Sequence, residues 1–437
     1  MILINNRLTV RDAGSADAEL LCGWWNDGKV MAHAGFPNGL GTTAEKIRES
    51  LAGDSDATGR RHIIELGKTP IGEMNYRTKD GKTAEIGIKI CDFTEQEKGY
   101  GTVLLSMFID ALFVYYGYER IIWDTNVMNE RAQHVYEKKL NARNAGIDGD
   151  YVNYEIRKCD WSKKPPYIRL RREVPPDYHA VEELTRDAFW ESSDTGATVN
   201  EHLLTHKLRQ SAAFIPELDY VAEIDGRLAG HIIYSKAIIT DKYGINHGII
   251  TFGPLAVAPQ YKGRGAGSAL ARFTLAEAGR LGYPGIAIFG HPDYYPRFGF
   301  RRAGDYGLET RNGDVFDAFM ALELIPGALM IPGGRFYEDP VYDELSDEET
   351  LAFNKGFPHK EPLAFAGIER LIERLEPLAA EAIKSLNLRC LEDMRTITEE
   401  AASKLPGIDG RARDVIREVM KAHGRVWGNT NNKKRYD

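Results

Sequence analysis

The sequence predicts an α/β protein with mixed sheets: two related domains in tandem, followed by a small all-α module. Three observations predict it. One loop pattern, Gln-x-x-Gly-x-Gly, occurs twice, as "QEKGYGT" (Gln96 to Thr102) and as "QYKGRGAGS" (Gln260 to Ser268). Each copy follows an apolar strand-like run ("EIGIKI", "GIITFGPLAVAP") and opens a helix-like run ("VLLSMFIDALFVYYGY", "ALARFTLAEAGRLG"). From about Pro362 strand runs cease and only helical periodicity remains. A chain of 437 residues is also too long for one ordinary core, so two to four domains are expected.

Taken in order, residues 1–161 alternate strand-like and helix-like pieces and end on "YVNYEIRKCDW". Residues 162–167, "SKKPPY", are polar, carry two prolines and read as a linker. A new strand, "YIRLRREV", opens a second alternating segment over 168–361. Its last part, from Ile325, is rich in Pro, Gly and acids and is expected to wrap on the second domain, because its aromatics need a surface to pack on. Residues 362–437 form the helical module, with "LAFAGIERLIERLEPLAAEAIKSL" and "RARDVIREVMKAH" as its helices and a frayed tail, "GNTNNKKRYD".

Bulk properties exclude several classes. The net charge of −8 argues against bulk attraction to nucleic acid or anionic membrane. The start, "MILINNRLTVRD", lacks the basic and long apolar regions of a secretory leader, and no apolar run approaches a membrane span. Cys22, Cys91, Cys159 and Cys390 are dispersed without metal-ligand spacing. A cytoplasmic protein without disulfides or metal is expected.

Glycines between a strand and a helix let backbone amides approach a phosphate. A Walker A loop needs Lys then Ser/Thr after its last glycine, and neither copy has them. A dinucleotide fingerprint needs a third small residue and an acid ending the next strand. The first copy supplies only the acid, Asp124 in "RIIWD", and the second supplies none after "GIAIFG".

The segments after each loop are decisive: a helix, a strand, and then "NERAQHVYEKKL" or "HPDYYPRFGF". With these pieces the chain resembles the GNAT superfamily of acyl-CoA N-acyltransferases, twice over, across about residues 5–160 and 168–361. The first copy resembles the branch of ribosomal-protein N-terminal acetyltransferases. The second resembles a separate branch with "PLAV.P.Y.GRG.G" and "YY.RFGF".

The resemblance implies two tandem GNAT folds using acetyl-CoA as co-substrate, without metal. The pyrophosphate would lie on the loop amides, with Gln96, Gly99, Gly101 and Thr102 in one copy. Gln260, Lys262, Gly263, Arg264, Gly265, Gly267 and Ser268 would serve in the other. The preceding strands, at Ile88 and Ile90 or at Leu255 and Val257, would offer backbone groups to the pantetheine arm, one amide polarising the thioester carbonyl. Asn129 would hydrogen-bond the pantetheine, and Tyr136 and Tyr295 would donate to the departing sulfur. The first copy departs from the family at Leu140-Asn141, where Gly-Phe is usual. The bland alternatives are a core role for Tyr136, a register in which Tyr294 replaces Tyr295, and a solvated Arg264. Glu85, Glu223 and His291 read as structural, and the base is left unassigned.

The stretch "LPGIDGRARDVIREV" resembles a helix-hairpin-helix, like the C-terminal domain of the bacterial RNA polymerase alpha subunit. Lys404 to Arg435 holds nine basic and three acidic residues. DNA contact and protein docking both stay open, docking being favoured. The amine acceptor, small molecule or protein, is not legible: "WWNDGKVMAHAGFPNG" and "AFWESSDTGATVNEHLL" are variable segments. The rival readings are a CoA-binding scaffold that does not turn over and a dinucleotide enzyme resting on Asp124.

Overall fold

The computed structural model describes residues 1–190, 199–360, 368–386 and 397–422, with Leu388, Met394 and Trp427. The first copy contributes β1 (Ile2–Asn5), β2 (Leu8–Asp12), β3 (Gly59–Leu66), β4 (Thr69–Thr78), β5 (Thr83–Ile90), β6 (Arg120–Asn126), β7 (Arg143–Asp148) and β8 (Tyr151–Arg157). Its helices are α1 (Ala18–Asn26), α2 (Gly28–Met31), α3 (Ala44–Leu51), α4 (Tyr100–Val114) and α5 (Glu130–His134). The second copy begins with β9 (Ile168–Arg172), α6 (Tyr178–Trp190), α7 (Glu201–Leu208), β10 (Tyr220–Ile224), β11 (Arg227–Thr240) and β12 (Asn246–Val257). It continues through α8 (Ala266–Arg280), β13 (Gly285–Phe289), β14 (Arg301–Arg302), β15 (Glu309–Thr310), β16 (Phe319–Glu323) and β17 (Arg335–Tyr337). After these come α9 (Asp347–Asn354), α10 (Glu369–Ile372), α11 (Pro377–Lys384), α12 (Glu399–Ala402) and α13 (Gly410–Ala422).

Two compact units result: Met1–Leu184 with Leu208–Asp339, and Thr185–Lys207 with Pro340–Asp437. The first holds one continuous mixed sheet through both copies. Its ladder runs β7, β8, β6, β5, β4, β3, β2, β1, β9, β10, β11, β12, β13, β16, β14. β1 pairs antiparallel with β9, Ile2 opposite Leu170, so the two halves are fused edge to edge. That pairing also covers two sheet edges that would otherwise be open.

The linker is held rather than loose. Asp110 of α4 accepts from Trp161 Nε1 and from Tyr167 Oη, each at 2.8 Å, and Asn5 donates to the Pro166 carbonyl. α4 is apolar nearly all round, as a helix packed within a core should be: Leu104, Leu105, Met107, Phe108, Leu112 and Phe113 are buried.

The two copies also share an ion-pair device. Arg11 forks onto Asp17 (2.8 Å twice) and reaches Glu65 (2.7 Å). Arg171 does the same with Asp177 (2.5 and 2.9 Å) and Glu223 (2.8 Å). Each clamps the strand that leads into the first helix of its copy, β2 or β9, to the turn before that helix. Because its carboxylate is held by Arg169 and Arg171, Glu223 has a structural role, as the sequence suggested.

The second copy adds a buried cluster beneath α6. Arg209 bonds Glu173 at 2.6 and 2.9 Å and Glu182 at 2.7 Å, while His231 Nε2 meets Asp219 at 2.8 Å. Glu173, Asp219 and His231 are close enough to hold a metal ion. Their facing atoms are instead bonded to Arg209 and to one another, so we describe an ion-pair cluster. Burial pushes the Glu173 carboxyl up to about 7 and Asp219 up to about 6, and it holds His231 down to about 4. The folded pair therefore keeps a proton that the unfolded chain releases, which stabilises the fold at lower pH and is lost as pH rises through about 7. Above about pH 6.5 the imidazole is mostly neutral folded or unfolded. From pH 6.5 to 8 the wild type should thus lose on the order of 1 kcal/mol relative to Asp219→Asn, followed by urea denaturation. A wild type that gains on the variant over that window contradicts the shared proton.

In the second unit Phe353 packs on His202 and His206 (5.3 and 4.9 Å), and Phe357 packs on His202 (5.6 Å). Arg186 lies over Trp190 at 4.9 Å and donates to the Pro358 carbonyl at 2.8 Å. The helical part has its own core, with Leu371, Ala379, Ile383, Ala402, Ile416 and Met420. Gly407 has φ +77°, and a Cβ there would stand 2.7 Å from the Ala379 amide nitrogen, so both conformation and space demand glycine. Asp409 caps α13 by accepting from the Ala412 amide at 2.9 Å, and Arg417 is engaged by Glu399 (2.6 Å). Residues 361–367, where the module was expected to begin, lie outside the described residues, as do the tail from 428 and Arg425, Lys433, Lys434 and Arg435 of the basic run. No helix among the described residues is long and apolar enough to cross a membrane.

Candidate active site

The repeated loop lies where two parallel strands part. β5 and β6 pair only from Thr83–Arg120 to Glu85–Ile122, and β12 and β13 pair only at Ile250–Ile286. Beyond those points β5 and β12 each have one unpaired edge. Strand alternation fixes which residues present it. The Cys91 amide bonds to Ile71 and the Ala258 amide to Ala229, so both face the neighbouring antiparallel strand. One residue back in register, Ile90 and Ile88, and likewise Val257 and Leu255, turn their backbone groups into the gap.

At the mouth of each gap a helix begins. Gly99 (φ +82°) precedes α4 and Gly265 (φ +92°) precedes α8, a left-handed conformation that suits glycine. The amides of Gly99 to Thr102 and of Gly265 to Ser268 make no backbone hydrogen bond among the described residues. Added Cβ atoms at Gly99, Gly101 and Gly263 would meet nothing within 4 Å. The loops therefore leave free donors beside open space, which suits a pyrophosphate.

Not every named residue faces that space. Gln96 donates to the Ile90 carbonyl at 2.8 Å and so ties the loop to the strand end. A Cβ on Gly267 would stand 3.1 Å from Val257 Cγ2 and 3.2 Å from Tyr294 Oη, so this glycine allows close helix–strand packing. Gln260 and Lys262 are exposed. Arg264 is half exposed, 3.7 Å from Asp225 and over the Tyr261 ring at 5.4 Å.

The first gap widens into a cleft of about 700 Å³ whose walls include Ile88, Ile90, Gln96, Gly101, Asn129 and Tyr136. Asn129 caps α5, its Oδ1 accepting from the Ala132 amide at 3.2 Å, and the residue lines the cleft. Tyr136 sits in a π-turn, Val135–Lys139, where the Leu140 amide reaches back five residues to Val135. The turn takes up one extra residue and moves the left-handed position to Asn141 (φ +60°). In the second copy that position is Gly299 (φ +98°). This is the physical content of the Leu140-Asn141 departure, Asn being the side chain best tolerated there. Burial pushes the Tyr136 phenol up to about 12.

Tyr295 is boxed by Phe252 and Phe300 (5.7 Å each) and stands edge-on to Tyr294 (5.1 Å). Burial raises its phenol well above the ordinary value. Phe252 adjoins a break in the β11–β12 ladder, where Gly253 and Pro254 lie opposite Ile233 alone. Tyr294 instead aims its hydroxyl at Gly267, near the helix start. His291 is exposed and accepts from the Asp293 amide at 3.2 Å. Glu85 is paired with Lys79 at 2.9 Å. Burial, and then Glu85, raise Asp124. Sequence reasoning missed Trp123 and Glu73 in the first cleft. The alternation of "RIIWDTN" was the available signal for Trp123.

A dinucleotide enzyme is overturned by the sheet itself. β6 runs parallel to β5 for three pairs on one edge and antiparallel to β8 along the whole of the other, unlike a doubly wound parallel sheet.

Comparison with known proteins agrees. Residues 7–139 and residues 217–302 each match a family model described as an acetyltransferase (GNAT) domain. The uncharacterized N-acetyltransferase YhbS of Escherichia coli K12 is 30% identical over 161 residues, 37% of this chain and 89% of that protein. The uncharacterized N-acetyltransferase YjhQ of the same strain is 34% identical over 106 residues, 24% of this chain and 58% of that protein, so the chain spans little more than half of it. A crystal structure of Escherichia coli YhbS in complex with CoA aligns at 28% identity and TM-score 0.35, over 41% of this chain and 93% of that chain. With two loops of one design at two splayed strand pairs, and two domain matches over the same segments, the chain belongs to the GNAT family of N-acetyltransferases.

Proposed function

We propose that the chain binds acetyl-CoA at both copies and transfers the acetyl group directly to a primary amine, without a covalent enzyme intermediate. The observation that carries this reading is the splayed strand pair facing free helix-start amides, present twice. Acetyl-CoA supplies an activated acetyl group: an amine nitrogen bonds its carbonyl carbon, the carbon–sulfur bond breaks, and sulfur leaves with the electron pair. Gly99 to Thr102 and Gly265 to Ser268 hold phosphate oxygens through their amides. Ile88 and Ile90, or Leu255 and Val257, bond the extended arm through their backbone. Tyr136 and Tyr295 meet the charge on sulfur with a phenol hydrogen, and the proton of the attacking nitrogen goes to water. A phenol pKa near or above 12 keeps the donor protonated throughout the neutral range.

Calorimetry with CoA should report two sites on the full chain. Gly265→Trp should remove one of them, since a non-glycine residue is strained at φ +92° and its side chain would crowd the helix start. One site only, abolished by that change, would sink the reading for the first copy. Thiol release from acetyl-CoA across a panel of amines then identifies the acceptor class, with protein N-termini included because the first copy resembles enzymes that use them.

A second reading divides the labour, with the first copy binding CoA and the second turning over. The β4–β5 ladder is unbroken, whereas the β11–β12 ladder breaks beside Tyr295. The domains of the proposal are 1–161 and 168–361, with 362–437 as a docking module. A partner protein suits that module better than DNA, since Asp409 and Glu399 already engage the α13 amide end and Arg417.

A further inference from the structure

Asp124 lines the first cleft and is exposed there. β5 and β6 pair last at Glu85–Ile122, so two residues further on Gly87 and Asp124 stand on opposite banks of the gap. Alternation fixes their face. Trp123 belongs to the core built on α4, with Met74, Tyr76, Ile86 and Tyr136, so Asp124 turns to the opposite face. Asn75, Glu85 and Gly87 share that face by the β4–β5 register, and Tyr151 shares it by the β6–β8 register. The α4 start and Tyr136 lie on one side of the gap, so an amine approaching the thioester from the other side meets the Asp124 face.

Beyond their last pair the two strands carry two charged residues, Lys89 and Asp124. Lys89 is bonded to Glu73 at 3.0 Å. Asp124 makes no side-chain hydrogen bond or ion pair among the described residues, and neither do Asn75 and Tyr151 of the same cleft. A Cβ on Gly87 would stand 3.0 Å from Asn75 Nδ2, so the bank facing Asp124 bears no side chain and the Asn75 amide lies over it. Burial and then Glu85 raise the Asp124 carboxyl, and Asp124 adds to burial in raising the Tyr136 phenol, so its charge is felt on both sides of the gap. A cation arriving beside Asp124 relieves that repulsion.

We propose that Asp124 binds the acceptor of the first copy as its ammonium, an inference resting on the reading of that copy given above. The substrate class is then an alkyl primary amine, whose pKa of about 10 keeps it charged at neutral pH. Asn75 Oδ1 and Tyr151 Oη are further acceptors on the same face for the ammonium hydrogens. The nitrogen passes one proton to water before it attacks. The device is particular to this copy: the matching strand β13, "GIAIF", carries no acid.

The test uses the full chain carrying Gly265→Trp, in which CoA calorimetry reports the first copy. n-Butylammonium and n-butanol, alike in size and different in charge, are titrated into the CoA-saturated protein and followed by saturation transfer from protein to ligand protons. n-Butylammonium should bind saturably and n-butanol should not. Asp124→Asn should weaken the ammonium by about 10–100-fold, the loss of one charge-assisted hydrogen bond, and leave CoA affinity unchanged. Asp124→Glu keeps the charge and should retain most of the affinity. An exposed, unpaired side chain can be exchanged without loss of the fold, and the unchanged CoA affinity checks that it was. Butanol bound as tightly, no saturable ammonium site, or an Asn variant as tight as its parent overturns the role of Asp124 and leaves CoA binding standing. A first copy that takes up no CoA overturns the first-copy reading and the acceptor placement with it.

Discussion

Tyr295→Phe is expected to lower turnover at the second copy by about 10²–10⁴-fold, roughly 3–5 kcal/mol, while acetyl-CoA affinity stays nearly unchanged. The hydroxyl is proposed to act on a sulfur that becomes negative only as the carbon–sulfur bond breaks, so kcat and kcat/KM should fall together. The fold should tolerate the change. Phenylalanine keeps the ring that packs between Phe252 and Phe300, and Gly290 beneath it is already shaped to that ring: a Cβ there would lie 2.4 Å from Tyr295 Cε2. Tyr294→Phe is the matched control, its hydroxyl lying by Gly267 rather than by the ladder break. The raised phenol also predicts that turnover does not decline through loss of this proton at or below pH 10. Measured on a chain whose first copy is silenced by Tyr136→Phe, a damaging Tyr294→Phe beside a harmless Tyr295→Phe would move the role to the neighbouring ring.

Arg209→Ala is expected to destabilise the first compact unit by about 3–5 kcal/mol. The Arg209 side chain is 4% exposed, and its guanidinium bridges Glu173 and Glu182, whose side chains are 0% and 7% exposed. It also lies over the Tyr178 ring at 4.2 Å, so its planar face is buried as well as its charge. Removing one partner strands the other charges in a site that water does not reach. The loss should shrink at low pH, because the stranded carboxyls take up protons and folded-state pKa values raised further above the unfolded ones favour the fold there. Urea midpoints at pH 5 and pH 7.5 test both size and sign. A loss under about 1 kcal/mol at pH 7.5 would place the cluster among hydrated surface pairs.

Much of the site was legible because glycine spacing, strand runs and a tyrosine at fixed distance are local patterns. Ile88, Ile90, Leu255 and Val257 could be named from the run before the loop, since alternation along a strand follows from the chain itself. Gln96 and Gly267 show where locality ended: by pattern both read as ligand contacts, yet one bonds the Ile90 carbonyl and the other makes room for Val257 and Tyr294. Partners that fold in from a distance decide such roles. Trp123 and Glu73 went unnoticed because the walls of a cleft are defined only once every neighbour is placed.

By itself the sequence determined that this protein has two domains of one design, each with a glycine loop between a strand and a helix, and that a helical module follows. Those statements need only periodicity and residue chemistry, which act over a few positions. Tertiary structure alone decided that β1 and β9 join both copies into one sheet, that Asp110 pins the linker, and that Arg11–Asp17–Glu65 recurs as Arg171–Asp177–Glu223. In those ion pairs the Arg–Asp spacing is six residues in both copies, but the carboxylate from the later strand lies 54 residues on in one and 52 in the other. An intervening loop can change length without moving the strand it leads to, so spacing along the chain does not report the contact. Sheet pairing and buried charge are settled by which edges and which ions would otherwise be left without partners, and that is a property of the folded chain.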